Sequence, residues 1–287
     1  MSPVTFVKTV FSNKKMIDSQ WANLLGLQVF RIVVARVLQK LRQMKCPNRY
    51  DSYVQALNRE GCCVIENYLS PEIFEKVKAE FEKAMTGEAI ENLADRNHYV
   101  YHVAWFDEND KDKYPETIKA FLDKKSAVMQ IFQGHEGRPG DDFCRWGAVK
   151  AKYERFFLDA SSEQQGDGKS VSDVHSDTFQ TITKLFFYLN DVSENNAPHV
   201  YYVKSQRLIF WRLVFEYINS ITKKQISPRV SEKWLKRMGY LKPVLHVYPK
   251  NTVIVANVFG YHARGYLKDE SQHRDVVYVE YRTNPFR

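Results

Sequence analysis

The segment VHSDTFQTITKLFFYLNDV, residues 174–192, carries the clearest structural pattern in the chain. It places His175 and Asp177 two residues apart, just before the β-branched and aromatic run Ile182–Asp191, which predicts a strand. Side chains at alternate positions of an extended chain point to the same face, so His175 and Asp177 can bind one ion together. Two alternatives follow from this pair alone: a metal site at the start of a strand, or a histidine that is hydrogen-bonded at the surface or in the core, which is the commoner case.

Further strand-like runs surround this segment. They are Cys62–Asn67, Ala148–Leu158, His199–Lys204, Val244–Tyr248, Thr252–Val258 and Val276–Tyr281. Short strands separated by turn residues, at a spacing of roughly ten residues, indicate an antiparallel sandwich or jelly roll rather than a βαβ sheet. We expect an α+β fold with a mainly β core.

Helical patterns flank these strands. They cover Gln20–Lys45, Tyr50–Arg59, Pro71–Met85, Glu116–Gln133, Arg207–Ile221 and Val230–Met238. The last two lie between strands and predict a helical insertion at about residues 207–238. We therefore expect a basic amphipathic N-terminal segment at 1–49 and one domain at 50–287 that contains the insertion.

Charge is distributed unevenly. Of 42 basic and 34 acidic residues, nine basic residues and one acid lie in residues 1–50, which leaves 33 of each for the rest. A neutral body offers no excess charge to a phosphate backbone, so we expect no nucleic-acid partner.

Two features of the sequence bear on the cellular compartment. The start of the chain lacks the apolar stretch of a signal peptide, and the four cysteines of the whole chain do not form a disulfide scaffold. These features favour a reduced, cytoplasmic protein.

The predicted helix over Gln20–Lys45 has two distinct sides. One carries an apolar stripe, formed by Phe30, Val34, Val37, Leu41 and Met44. The other carries Gln28, Arg31, Arg36, Gln39 and Arg42. Such a helix packs on the body of its own domain, contacts a second copy of the chain, or attaches to an anionic membrane surface. All three alternatives stay open at this point.

Two additional residues, His262 and Arg274, complete the candidate site from much later in the chain. His262 follows the strand-like run Thr252–Val258, and adding it to His175 and Asp177 gives two imidazoles and one carboxylate. That ligand set suits Fe(II) and leaves coordination positions open. Arg274 lies twelve residues past His262, where a turn would bring it beside the pocket, and its planar fork suits a carboxylate.

Together these residues resemble the phytanoyl-CoA dioxygenase-like branch of the Fe(II)/2-oxoglutarate oxygenases, over about residues 50–287. The blocks that carry the resemblance are Glu60–Pro71, His175-Ser176-Asp177, Leu185–Val192 with Glu194-Asn195-Asn196, His262 and Arg274. The resemblance implies a double-stranded β-helix, which is a jelly roll. It also implies Fe(II) on His175, Asp177 and His262, with 2-oxoglutarate on Arg274 and beside Phe186.

The implied activity is a dioxygenase that consumes O2 and 2-oxoglutarate, releases succinate and CO2, and by default hydroxylates its substrate. Desaturation or ring closure would use the same ligands. Asp177 argues against a halogenase, because halogenating relatives replace this carboxylate with a small residue. The alternative is a non-catalytic jelly-roll binding or scaffold protein.

The chain departs from the family pattern at two places. Ala197-Pro198 and Lys204-Ser205-Gln206 stand where the family has a glycine and a Pro-Gly-Ser/Thr-His stretch. Arg264 stands where the family often has Ser or Thr near the cosubstrate carboxylate, so Arg264 is a candidate cosubstrate contact, and both alternatives stay open: it assists 2-oxoglutarate binding or it opposes it.

Substrate specificity is expected in three variable segments, His98–Trp105, Asp159–Asp173 and the insertion. The insertion is basic, which favours an anionic small molecule or an anionic carrier-linked substrate.

Overall fold

The computed structural model describes residues 11–12, 14–46, 51–87, 91–94, 99–106, 114–123, 125–139, 147–158, 174–222, 229–268 and 272–286. The proposed substrate loop Asp159–Asp173 and the residue His98 lie outside the described residues. The described part contains eight helices. They are α1 (Gln20–Leu24), α2 (Leu27–Lys45), α3 (Ser52–Glu60), α4 (Pro71–Met85), α5 (Glu116–Leu122), α6 (Ala127–Glu136), α7 (Phe210–Thr222) and α8 (Glu232–Arg237).

Ten strands form two antiparallel sheets in the described residues. The strands are β1 (Cys62–Ile65), β2 (Glu91–Ala94), β3 (Tyr99–Phe106), β4 (Gly147–Leu158), β5 (Thr183–Tyr188), β6 (His199–Tyr201), β7 (Val244–His246), β8 (Thr252–Asn257), β9 (His262–Arg264) and β10 (His273–Thr283). The large sheet has the order β1-β8-β5-β10-β4-β3-β2, and the small sheet has the order β7-β6-β9. This confirms the predicted jelly roll with flanking helices.

Strand β5 shows how the large sheet divides its two faces. Leu185 and Phe187 point toward the helices, where the Phe187 ring contacts Phe74 of α4 and Phe121 of α5 at 6.0 and 5.3 Å between centroids. The alternate residues Lys184 and Phe186 point to the other face, which is the inside of the jelly roll. The helices thus cover the outer face with apolar contacts, and the inner face carries charged side chains such as Lys184 beside aromatic ones such as Phe186.

The inner face is aligned by the strand register. Phe186 lies opposite Ile254 of β8 and Tyr278 of β10, and Lys184 lies opposite Glu280 of β10. Residues directly opposite in an antiparallel pair share a face. The register therefore brings the charged side chains of β5 and β10 into one interior.

The prediction of one continuous helix over Gln20–Lys45 is wrong. The chain leaves the helical conformation at Leu25 and Gly26, and Gly26 has a φ of +78°, which a glycine adopts without a steric cost. The break separates α1 from α2. Asn23 of α1 is buried and donates from Nδ2 to the Ser220 carbonyl at 3.2 Å, which fastens α1 to α7.

Helix α2 packs on the body of the protein, but through the face opposite to its apolar stripe. The buried side is Gln28, Arg31, Ile32, Ala35 and Gln39. Phe30, Val37, Leu41 and Met44 of the stripe are all at least half exposed.

Hydrogen bonds explain this orientation. Arg36 donates to the Gln206 carbonyl at 2.6 Å and to the Thr181 hydroxyl, and Gln39 donates to the His135 carbonyl at 2.8 Å. Buried backbone carbonyls need such donors, and an apolar side chain cannot supply them. The polar side of α2 is therefore buried, because it supplies hydrogen-bond donors to carbonyls on the body of the protein.

One further prediction is wrong for a local reason. The predicted helix over Glu116–Gln133 is divided between α5 and α6, because Ser126 caps the second helix by accepting a hydrogen bond from the Met129 amide at 3.1 Å. Strand β3 has no clear periodicity in sequence, although all of its residues pair with β4.

Two further properties of the fold concern its helices and its thiols. None of the helices in the described residues combines the length and the hydropathy of a membrane-spanning segment. Cys46, Cys62 and Cys63 are free thiols.

Candidate metal centre

His175 and His262 are brought together by their backbones. The His175 amide donates to the His262 carbonyl at 3.0 Å, and the His262 amide donates to the His175 carbonyl at the same distance. This reciprocal pair joins the segment before β5 to the first residue of β9. The Asp177 amide donates to the Val258 carbonyl at 3.1 Å, so the turn after β8 also holds the carboxylate.

Three ligand atoms converge at this point. The His175 Nε2 atom lies 3.2 Å from Asp177 Oδ1, and His262 Nε2 lies 3.5 Å from Asp177 Oδ2. The three ligand atoms, one from each residue, all lie within 4.8 Å of one another. Ligands about 2.1 Å from a metal and cis to each other are about 3 Å apart, so these distances fit one ion. Among the described residues, this is the one His/Cys/Asp/Glu group with such geometry.

The ring of His262 is oriented for metal binding. Its Nδ1 atom lies 3.0 Å from the Gly260 carbonyl, which can only accept, so Nδ1 carries the proton and Nε2 keeps its lone pair. Burial lowers the pKa of His262, which Asp177 partly offsets, and the imidazole is therefore neutral near pH 7. A neutral imidazole with a free Nε2 is the form that binds a metal.

Asp177 is held as a carboxylate. Burial by itself raises the pKa of this carboxyl, but the positive charge of Lys184 outweighs burial and holds the pKa well below 3.8. The Lys184 ammonium donates directly to Asp177 Oδ2. Asp177 is thus deprotonated and oriented by a buried cation.

Lys184 belongs to a buried ionic group on the inner face that the sequence analysis missed. Its ammonium also pairs with Glu280 at 3.0 Å, and Glu280 accepts hydrogen bonds from Tyr278 at 2.7 Å and from Arg282. Although burial raises the pKa of Glu280, Lys184 and Arg282 lower it to about 2. The sequence signal that could have identified this ionic group is Lys184 itself, a lysine inside an otherwise apolar strand and on the same face as Phe186.

Arg274 lies in the same interior, on β10, and is 6% exposed. Its Nη2 atom donates to Glu154 at 3.2 Å and its Nη1 atom donates to the Ala197 carbonyl. Among the described residues, its buried Nε atom has no hydrogen-bond partner. Burial raises the pKa of Glu154, but Lys152 and Arg274 lower it below its usual value, so Glu154 is charged. Arg274 therefore retains one buried donor for an additional acceptor.

The other two predicted cosubstrate residues lie near Arg274 and the metal ligands. The guanidinium carbon of Arg264 lies 4.0 Å above the centre of the Phe156 ring, and that of Arg274 lies 5.8 Å from the same centre. The structure thus places two arginines against one aromatic ring. Phe186 stacks on His199 at 4.5 Å between ring centroids, on the inner face beside β6.

His199 is a second residue that the sequence analysis did not assign. It is 4% exposed, its ring centroid lies 5.9 Å from that of His262, and its Nε2 atom has no partner within the described part of the chain. Its Nδ1 atom lies 2.8 Å from Nδ1 of His246, whose Nε2 lies 3.6 Å from the Cys62 sulfur. Burial lowers the pKa of His199 well below 6.5 and that of His246 to about 4, so both rings are neutral. Sequence spacing gives no sign of this pairing, because 47 residues separate the two histidines.

The helical insertion reaches the metal centre. The Val230 amide donates to the Val174 carbonyl at 2.7 Å, and the exposed Arg229 forms a β-bridge with His175. Part of the insertion's positive charge is used internally, since Arg212 forms a buried ion pair with Glu216 at 2.8 Å.

Comparison with solved structures identifies proteins of the same fold, whereas comparison of sequences identifies no family. No protein-family model and no curated protein matches the chain. The structure is similar to that of the epimerase SnoN in complex with Fe3+, alpha ketoglutarate and nogalamycin RO, with a TM-score of 0.56 and 12% identity over 80% of this chain and 82% of that chain. It is also similar to the non-heme alpha ketoglutarate dependent carbocyclase SnoK, with a TM-score of 0.51 and 12% identity over 80% and 83%. The chain therefore has the jelly-roll fold of these two enzymes.

The geometry predicts that a divalent ion stabilises the folded protein. With Co(II) at about one hundred times its dissociation constant, the free energy of unfolding should rise by about 2.7 kcal/mol. Replacing His175 with alanine should abolish the accompanying rise in melting temperature, whereas replacing the half-exposed His273 with alanine should preserve it. An equal rise in wild type and His175→Ala would show that the ion binds elsewhere.

Proposed function

We propose that this protein is a non-haem Fe(II)/2-oxoglutarate-dependent oxygenase. The observation that carries the proposal is the convergence of His175, Asp177 and His262 on one point in a jelly roll that also buries Arg274. Two imidazoles and one carboxylate are the ligand set of this enzyme class, and they leave coordination positions open. The similarity to enzymes that are alpha ketoglutarate dependent supports the same class.

His175, Asp177 and His262 would hold Fe(II). Bound there with O2 and 2-oxoglutarate, the iron would supply an oxidant that removes hydrogen from an unactivated carbon, with release of succinate and CO2. Lys184 fixes the carboxylate of Asp177 from behind and offsets its charge. The supporting contacts matter because a displaced ligand weakens metal binding and activity.

Arg274 is proposed to bind the far carboxylate of 2-oxoglutarate through its buried Nε atom. Glu154 already pairs with Arg274, but Lys152 neutralises Glu154 and Arg264 adds a second positive charge beside Phe156. This end of the interior therefore keeps an excess of positive charge for an anionic cosubstrate. Phe186 contributes an apolar wall.

His199 is proposed to donate a hydrogen bond to the same cosubstrate. Burial raises the pKa of the Cys62 thiol to about 12, so the thiol stays protonated and can donate to His246 Nε2. His246 then donates through Nδ1 to Nδ1 of His199, which leaves the proton of His199 on its buried Nε2 atom. A buried N–H group without a partner is costly, and an anionic ligand removes that cost.

Hydroxylation is the proposed outcome, with desaturation or ring closure as variants on the same ligands. The related folds of an epimerase and a carbocyclase support a scaffold that accommodates several outcomes. Halogenation is not proposed, because Asp177 occupies the position that a halide would need. We retain the phytanoyl-CoA dioxygenase-like branch as the proposed relationship, on the motifs of residues 50–287.

The proposed substrate is an anionic small molecule or an anionic carrier-linked molecule. Arg229 supports this choice, since it is exposed and pairs with the backbone of the metal ligand His175. The insertion that contains it borders the metal centre, so its side chains are placed to meet a substrate. We retain 1–49 and 50–287 as the proposed division of the chain.

The direct test is turnover of 2-oxoglutarate without a substrate. Purified protein with Fe(II), ascorbate, 2-oxoglutarate and O2 should release succinate slowly, and Asp177→Ala should abolish the release because the metal loses its carboxylate ligand. His273→Ala should behave as wild type. Absence of succinate from a correctly folded, iron-loaded wild type would favour the non-catalytic binding protein instead.

The cosubstrate assignments predict effects on the KM for 2-oxoglutarate, measured on variants whose melting temperature shows that they are folded. Arg274→Gln should raise the KM for 2-oxoglutarate by roughly tenfold to a hundredfold, since a charge-assisted hydrogen bond contributes about 1.5–3 kcal/mol. His199→Phe should raise it by about tenfold and preserve stacking on Phe186. Arg59→Gln is the matched control, because the Arg59 side chain is 72% exposed. An unchanged KM in both interior variants would contradict these roles.

A further inference from the structure

Helix α2 and the end of α1 expose a continuous apolar surface. We name these side chains the apolar ridge and define it as Trp21 of α1, Leu25 in the turn between the two helices, and Phe30, Val37, Leu41 and Met44 of α2. These side chains are between 50% and 87% exposed, and none of them contributes to a buried cluster in the described chain. Exposed apolar residues are ordinary when scattered, but a stripe along one helix marks an interaction surface.

The ridge cannot turn inward without breaking the contacts that attach α2. Arg31 is fully buried and donates to the Ser12 and Lys14 carbonyls at 2.9 Å each, and its guanidinium lies 4.0 Å above the Phe179 ring. Arg36 and Gln39 bind the body on the same side. Rotating α2 would leave these polar groups and their carbonyl partners unsatisfied. The exposure of the ridge is therefore a stable property of the fold.

The charges near the apolar ridge favour an anionic partner. No acidic residue occurs anywhere in residues 19–50. Lys40 and Lys45 are exposed; Lys40 lies one helical turn from Val37 and Met44, and Lys45 lies one turn from Leu41. An apolar stripe accompanied by lysines, on a helix without acidic residues, matches the interface of an anionic lipid layer, where acyl chains meet negative headgroups.

The shape of the ridge agrees with this partner. From Phe30 to Met44 the stripe is about 21 Å long, so α2 would lie flat in the interface rather than cross the bilayer. Trp21, at the other end of the ridge, is 79% exposed, and tryptophan favours the boundary between headgroups and acyl chains. A second copy of the chain is a poorer fit, because it would bring Lys40 and Lys45 against an equally basic face.

We propose that the apolar ridge docks this protein on an anionic membrane surface, with α2 parallel to the membrane plane. The proposal is independent of the oxygenase assignment, since the ridge shares no residue with the metal centre. Each lysine near the surface adds to the attraction, and each inserted apolar side chain adds hydrophobic stabilisation.

The test is sedimentation of the full-length protein with vesicles, in two compositions. Wild type should sediment with vesicles of phosphatidylcholine and phosphatidylglycerol in equal parts, and binding should fall at high salt and on pure phosphatidylcholine. Val37→Glu combined with Leu41→Glu should lower the partition constant by about tenfold or more. Leu241→Glu is the matched control, because Leu241 is 68% exposed outside the ridge and should bind as wild type.

Three outcomes would overturn the proposal. They are undiminished sedimentation of the double variant, equal binding to both vesicle compositions, and a wild-type dimer by light scattering that the double variant dissociates without any vesicle binding. Melting temperatures establish that each variant is folded. If the double variant fails to fold, Trp21→Ser with Leu25→Ser tests the other end of the ridge with the same expected loss.

Discussion

Two reciprocal backbone hydrogen bonds between His175 and His262 are the constraint on which the site depends. They join segments that lie 87 residues apart, and they do so through main-chain atoms that any residue would supply. The jelly roll thus determines where the two imidazoles meet, and the side chains only have to be histidines. Asp177 is placed by the same means, through its own amide on Val258.

The interior of the jelly roll combines buried ionic groups with apolar side chains such as Phe186 and Ile254. Asp177, Lys184 and Glu280 form one buried group, and Glu154 with Arg274 forms part of another. Charges are expensive to bury unless they are paired, so each of these groups holds its neighbours in a defined orientation. Apolar contacts stabilise the sheet on both faces, against the helices on the outer face and around Ile254 and Val276 on the inner face.

Sequence patterns predicted the parts of this arrangement that follow from alternation and spacing. The strand after Asp177, and the convergence of Asp177 with two histidines, follow from a period of two and from jelly-roll topology. The roles of Lys184 and His199 did not, because their partners come from strands far away in sequence. The buried face of helix α2 was not predictable from its sequence for a different reason. Periodicity identifies two faces of a helix, and carbonyls on the body of the protein decided that the polar face would be buried.

The central claim is that one interior holds both a metal and the cosubstrate that chelates it. Anaerobic addition of Fe(II) and 2-oxoglutarate to the purified protein tests this most directly, because chelation of the iron produces a visible charge-transfer band. We predict a band that requires both additions and that is lost in His262→Ala. A wild-type protein that binds Fe(II) and shows no band at saturating 2-oxoglutarate would contradict the claim.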